Sequence, residues 1–323
     1  RVYNIDVTNK ESIVELLEKH KDKAIAGEVA KLALDLEDGT ASKDTLLNKL
    51  KELDSTEHIV TTKHQSMDLD ELYHSQIASP GLRWRLNWLN QSLGSLRQGD
   101  FGFIYARPEV GKTTFLANEI THMVTQSEGN VLWFNNEEQS QKVAIRCYQA
   151  YFGITSKELF ADVDGYKKKY AEEVGDKIQI FDLDDSSSTH RIESIIATSN
   201  PSLIIIDQLD KVRGFKADRH DLQMKALYQW AREQAKRYAP VIAVCQAGGT
   251  AEGKAWLDMN DVDSSKTAKQ GEADFMMGIG SENDTMSNSR YLKINKNKLI
   301  GDNDTKPELR HGNQAVLIQP HIS

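Results

Sequence analysis

Phe103-Ile104-Tyr105-Ala106-Arg107-Pro108-Glu109-Val110-Gly111-Lys112-Thr113-Thr114 is a short apolar run, then a turn, then Gly-Lys-Thr-Thr, and Phe115-Leu116-Ala117 opens a helical pattern behind it. Strand, loop and helix in that order are the context of a phosphate-binding P-loop. Backbone N–H groups of such a loop and of the helix N-terminus point at phosphate oxygens. Lys112 is then expected to neutralise the β- and γ-phosphates, and Thr113 to place its hydroxyl on Mg²⁺. The strict pattern has glycine where Ala106 stands.

Beyond this stretch, four more apolar runs follow at intervals filled by helical segments: Val131 to Phe134, Ile178 to Phe181, Leu203 to Ile206 and Val241 to Val244. They are β-rich and lack polar alternation, as parallel strands buried on both faces do. Alternation with helices predicts an α/β fold with a mostly parallel, right-handed sheet. Later runs, Phe275 to Ile279, Tyr291 to Ile294 and Ala315 to Ile318, extend it with antiparallel edge strands.

Polar residues at the ends of these runs fall where ligands bind such sheets. Asp207 ends the third run and takes the Walker B role toward Mg²⁺. Glu137 follows Val131 to Asn136 and is the candidate general base for the water attacking the γ-phosphate, with the adjacent Glu138 as its rival. Gln246 ends the next run, where an amide can report loss of the γ-phosphate. Each position also admits a plain turn or capping reading.

Upstream the chain changes character. Ile13, Leu16 and Leu17 form one helical stripe, and Ala24, Ile25, Val29, Leu32, Ala33 and Leu36 a second. Gly39-Thr40 interrupts, and Ser42 is placed to cap a third helix carrying Leu46, Leu47, Leu50 and Leu53. Three parts are expected: a helical N-terminal segment over 1–55, a linker with a docking helix over 56–80, and an ATPase domain over 81–323. The first residue is Arg1 and no signal peptide follows, so further upstream sequence is expected.

With 323 residues, 39 % hydrophobic and 27 % charged, the composition is globular and excludes collagen-like or wholly disordered chains. No apolar run approaches the roughly 18 residues of a membrane span. Two cysteines, Cys147 and Cys245, make neither a disulfide framework nor a zinc spacing. The net charge of −8 excludes a basic, DNA-coating protein. Residues 1–80 carry 16 acids against 10 bases, so the remainder is nearly neutral. Any nucleic-acid contact must therefore be local.

The order P-loop, strand-end Glu, Walker B Asp, strand-end Gln is that of RecA-like ATPases, and the wording is narrower still. Ala106-Arg107-Pro108 resembles the start of the P-loop in DnaB-type replicative helicases. Gly94-Ser95-Leu96-Arg97-Gln98-Gly99-Asp100 is similar to the Gly-Gly-Leu-x-x-Gly-Asp of that family. So are Asn136-Glu137-Glu138 with Arg146, Asp207-Gln208-Leu209 for the family's Asp-Tyr-Leu, and Gln270-Gly271-Glu272-Ala273-Asp274 for its Glu-Gln-Asp-Ala-Asp.

The resemblance covers about residues 82–300. It implies a hexameric ring that hydrolyses ATP or another NTP with Mg²⁺ between subunits, translocates 5′ to 3′ on single-stranded DNA and unwinds replication forks. A primase and a helicase loader are its expected partners, and the stretch around 66–78 its ring-building helix. Arg146 matches the arginine that follows the family's catalytic Glu, on the nucleotide. Lys296-Asn297-Lys298 stands where the family has a trans-acting Lys-x-Arg. Lys298 supplies charge there without the planar fork of arginine, and a solvated edge strand is the plainer alternative.

RecA-like rings face two loops to the channel. Here the first holds Lys211, Arg213, Lys216 and Arg219, and the second, Ala247 to Lys269, holds Lys254, Ser264, Ser265, Lys266, Thr267 and Lys269. Ser264 to Thr267, with Arg213 and Lys216, are the expected phosphate-directed single-strand contacts. Trp256 either stacks on a base or packs into protein. Departures from the usual family wording suggest a phage-encoded member acting in the host cytoplasm. The competing readings are a RecA-like recombinase or loader that binds DNA without unwinding it, and a regulatory RecA-like ATPase that binds none.

Overall fold

The computed structural model describes residues 27–40, 42, 45–46, 68–73, 81–183, 188–215, 217–263, 266–282, 288–299, 301–302 and 311–317, without the side chains of 71–72, 266–268 and 317. The chain divides into two compact units, Arg1–Ala78 and Ser79–Ser323.

In the first unit, residues 27–37 are helical and end at Gly39, whose φ of 74° allows the chain to turn away. Ser42 Oγ accepts the N–H of Thr45 at 3.2 Å, the capping contact expected of it. Asp68 does the same for Asp70 at 2.9 Å, ahead of the short helix Leu69–Tyr73. Leu69 and Tyr73 on that helix are 78 % and 53 % exposed. The stripe of Ile13, Leu16 and Leu17, with Ala24 and Ile25 of the second stripe and Leu47, Leu50 and Leu53 of the third, lies outside the described residues, as does most of the linker over 56–80.

The second unit is an eight-stranded sheet flanked by helices. Its elements are α1 (Asn87–Leu93), β1 (Phe101–Ala106), α2 (Lys112–Met123), β2 (Asn130–Asn135), α3 (Ser140–Phe152), α4 (Ser156–Ala161), α5 (Val163–Glu173) and β3 (Ile178–Asp182). Then come α6 (Thr189–Thr198), β4 (Pro201–Ile206), α7 (His220–Arg237), β5 (Val241–Gln246), α8 (Lys266–Glu272), β6 (Phe275–Gly280), β7 (Ser289–Asn297) and β8 (Asn313–Leu317). The strand order is β3-β2-β4-β5-β1-β6-β7-β8. Strands β3 to β6 in that order run parallel, and β7 and β8 close the edge antiparallel. Every apolar run read as a strand falls in this sheet, apart from Ile318, which lies outside the described residues.

Alternate strand residues feed two cores. Ile104 and Ala106 face Leu116, Ile120 and Val143 from α2 and α3. Phe101, Phe103 and Tyr105 face Ile192, Ile196, Leu227 and Tyr228 from α6 and α7. With both faces covered, the five central strands have no polar side to show, and the polar residues collect where the parallel strands end. Among the described residues no helix is long and apolar enough to cross a membrane.

Candidate active site

The loop 107–111 leaves β1 and enters α2 through Gly111, whose φ of 107° is open to glycine and costly for other residues. Ala106 is the last residue of the strand, in register with Gln246 and Ile279. It needs no glycine freedom there, which is why alanine serves where the strict pattern has glycine.

Glu109, Gly111, Lys112, Thr113 and Thr114 line a cleft of about 400 Å³ together with Glu137, Glu138, Arg146 and Arg290. The other loop residues point elsewhere. Arg107 donates to the Ala247 carbonyl at 3.1 Å, and Arg107, Pro108 and Val110 line a separate cleft of about 250 Å³ with Glu252, Leu257 and Ser281.

Lys112 is only 4 % exposed, and its ammonium donates one long hydrogen bond, 3.4 Å to the Arg107 carbonyl. Asp207, at the end of β4, is 1 % exposed, and neither of its carboxylate oxygens has a hydrogen-bond partner. Burial, with the nearby charge of Glu137 and against the pull of Lys112, raises the Asp207 carboxyl to about 7. An orphaned buried carboxylate costs free energy that a bound cation returns. Mg²⁺ keeps waters and phosphate oxygens and takes one or two protein ligands. Asp207 with the Thr113 hydroxyl fits it; among the described residues no cluster of three or more His, Cys, Asp or Glu is arranged to hold a metal by itself.

The two candidate carboxylates part ways. Glu138 forms an ion pair with Arg146, and its carbonyl accepts from Asn135 Nδ2, which also donates to Asp182 at 2.8 Å. Glu137 accepts from Gln208 Nε2 at 2.9 Å. Gln208 is buried and left-handed, with φ 55°, which turns its amide back toward Glu137. Among the described residues, Gln208 and Glu109 (φ 63°) are the non-glycine residues with positive φ. Strain of this kind gathers at functional sites, and both flank this edge of the sheet.

Two further placements matter. Gln246 ends β5 level with Ala106, and its carbonyl accepts from Asp263 N at 3.1 Å. Lys296 and Lys298 sit at the opposite edge. Asn297 pairs with Phe275 and Phe275 with Gly102, so these lysines lie level with the start of β1. That is roughly 17 Å along the sheet from the loop that follows Ala106, at about 3.3 Å per residue. Lys296 donates to the Gln270 carbonyl, while Lys298 is exposed and donates its N–H to the Asp274 carbonyl at 2.8 Å.

Of the expected single-strand contacts, Lys216, Ser264 and Ser265 lie outside the described residues, and Lys266 and Thr267 open α8. Arg213 is exposed. Lys254 pairs with Asp261 at 2.8 Å, and Trp256 packs edge-on against Tyr291, 4.9 Å between ring centres.

Gln208 and Arg290 are not legible as site residues in the sequence. Gln208 carries no local signal until its backbone conformation aims it. Arg290 comes from β7, far along the chain, and donates Nε to the Val110 carbonyl at 2.8 Å; only sheet pairing brings it to the cleft.

Residues 76–252 match the AAA-domain family. The chain is 27 % identical over 199 residues to the replicative DNA helicase DnaB of Mycoplasma pneumoniae, covering 55 % of this chain and 41 % of that protein. It is 26 % identical over 183 residues to the DnaB of Pasteurella multocida, covering 52 % and 39 %. The chain thus spans less than half the length of these relatives. Among solved structures it is similar to a DnaB-like replicative helicase described with its interactions with primase: TM-score 0.70, 18 % identity, 97 % of this chain and 76 % of that one. It is also similar to a solved ATPase domain: TM-score 0.63, 18 % identity, 78 % of this chain and 92 % of that one. By this match and by its sheet, the chain belongs to the AAA-domain family, with the RecA-like fold of DnaB-type helicases.

Proposed function

We propose that this protein is an ATP-driven replicative DNA helicase of the DnaB type, working as a homo-hexameric ring that moves 5′ to 3′ on single-stranded DNA. The observation that carries the reading is Asp207, buried with both oxygens unpartnered, beside the buried ammonium of Lys112 and the Glu137 carboxylate at one strand edge. That set suits a nucleoside triphosphate and a divalent cation, and little else.

In this reading Lys112 and the loop N–H groups hold the β- and γ-phosphates. Thr113 and Asp207 hold Mg²⁺, which neutralises phosphate charge when bound. Glu137 takes a proton from the attacking water, and Gln208 fixes that carboxylate's orientation. The ion pair of Glu138 with Arg146 favours Glu137 over its neighbour as the base. Arg146 and Arg290 flank the nucleotide, and Gln246 reports the γ-phosphate to the loop behind β5.

Lys296 and Lys298 are too distant to serve their own subunit's phosphates, which supports a role toward a neighbour across a ring interface. Arg213, Lys216 and Ser264 to Thr267 would grip the strand through its phosphates. Residues 1–55 then belong to a collar, 56–80 to the docking linker and 81–323 to the motor. Primase and a loader are the proposed partners, and the cytoplasm the proposed location.

Unwinding of a labelled fork with ATP and Mg²⁺, comparing a 5′ tail with a 3′ tail, tests this. Strand separation that needs the 5′ tail is expected. Turnover stimulated by single strands without separation would instead favour a DNA-binding ATPase such as a recombinase or loader.

A further inference from the structure

We infer that Lys269 and Asp210 form a buried joint that makes the loop after β4 and the loop after β5 move as one body, with Lys269 a positioning residue and not a DNA contact. The inference rests on the reading that these loops meet single-stranded DNA.

The two loops leave adjacent strands and diverge, the first into α7 and the second into α8. Asp210 lies in the 3₁₀ turn Leu209–Lys211, three residues beyond Asp207. Lys269 lies in α8, behind the stretch 264–267. The ammonium of Lys269 is fully buried, with a partner on each side: Asp210 Oδ2 at 2.5 Å, the Asp263 carbonyl at 2.8 Å and the face of Tyr228, 5.6 Å from the ring centre. The other oxygen of Asp210 accepts from Tyr228 Oη at 3.0 Å. Tyr228 is itself buried, on α7, the helix into which the first loop runs.

The joint reaches the reaction centre from both ends. Asp263, whose carbonyl takes the lysine, donates its N–H to the Gln246 carbonyl at 3.1 Å. Gln208, two residues before Asp210, holds Glu137. Glu137, Gln208, Asp210, Lys269, Asp263 and Gln246 therefore form a continuous path through hydrogen bonds, an ion pair and a short piece of backbone. A lysine used only to fill this space would be replaceable by an apolar chain of the same length, since well-packed apolar groups often replace a buried ion pair without loss. What the pair adds is direction: it closes only when both loops hold this arrangement. Coupling carried by such a pair is worth about two- to thirtyfold in an equilibrium.

The test uses the full chain and two variants, Lys269→Met and the double variant Asp210→Asn/Lys269→Met, which leaves no buried charge should the single variant fold poorly. Hydrogen exchange of the loops 208–215 and 247–263 is followed with ADP and with a non-hydrolysable ATP analogue. In the unaltered protein both loops change protection together. In the double variant the first loop still responds, and the response of the second falls by about fivefold. Stimulation of ATP turnover by single-stranded DNA falls by about the same factor, with basal turnover kept within about twofold. Loops that respond independently in the unaltered protein, or together in the double variant, overturn the joint. Absence of any DNA stimulation in the unaltered protein counts against the helicase reading, and the exchange data still decide the joint.

Discussion

Two lysine–aspartate sets lie near one edge of the sheet and have opposite characters. Lys269 and Asp210 have closed on each other, with Tyr228 and the Asp263 carbonyl completing their valence. Lys112 and Asp207 have not: the ammonium makes one long hydrogen bond and the carboxylate none. The buried groups in both sets are costly to desolvate. Only the first set recovers that cost within the chain. The difference separates a joint from a site, because a buried charge left without protein partners is stable only against something that binds.

Mutation can dismantle this contrast at either end. The greatest change should come from Lys112→Ala, which should lower ATP turnover about a thousandfold, since among the described residues no other lysine lines the phosphate cleft. Steady-state phosphate release checks it, and near-normal turnover would remove the phosphate reading of this lysine. Glu137→Gln should lower turnover by about a hundredfold or more while nucleotide still binds, measured with a fluorescent analogue. If Glu138→Gln does this instead, the ion pair to Arg146 is not what keeps Glu138 out of the chemistry.

Stability should sort the two aspartates by sign. Asp210→Asn leaves the Lys269 ammonium buried with its counter-charge gone and should cost about 3 kcal/mol in urea unfolding. Asp207→Asn, in metal-free protein at pH 8, removes a buried carboxylate that lacks hydrogen-bond partners and whose burial outweighs the pull of Lys112, and should gain on the order of 1 kcal/mol. Equal signs would erase the distinction between joint and site.

Glu119 falls between these extremes. One of its oxygens accepts the Arg85 N–H at 2.6 Å, yet burial still raises its carboxyl to about 7. The folded protein then keeps a proton between about pH 5 and 7 that the unfolded chain has released, so stability should fall as pH rises through that window. Glu119→Gln should flatten that slope, by on the order of 1 kcal/mol across the window. Unfolding midpoints at pH 5 and pH 8 measure it.

Much of the fold is legible along the chain, for reasons particular residues make plain. The runs at Phe103, Val131, Leu203 and Val241 are apolar on both faces, and parallel central strands demand that. Asp207 stands out because it is polar immediately after such a run, and Glu137 and Gln246 because they follow within three residues of one. Glu137 and Glu138 cannot be told apart in this way, since adjacent carboxylates have the same local sequence signal. Their partners, Gln208 and Arg146, distinguish them. Lys269 reads as one more basic loop residue, and burial on Tyr228 and Asp210 gives it another character. Lys296 lies in β7 and Lys298 just past its end, but their distance from the phosphate loop follows from β7 running antiparallel.

The elements, their order and the phosphate loop are thus properties of the chain itself, because periodicity, strand-end polarity and a Gly-Lys-Thr-Thr turn are local features written along it. Which charges are satisfied is a property of packing alone. Whether a lysine or an aspartate has a partner depends on residues brought from other strands and helices, and no local pattern records that distance.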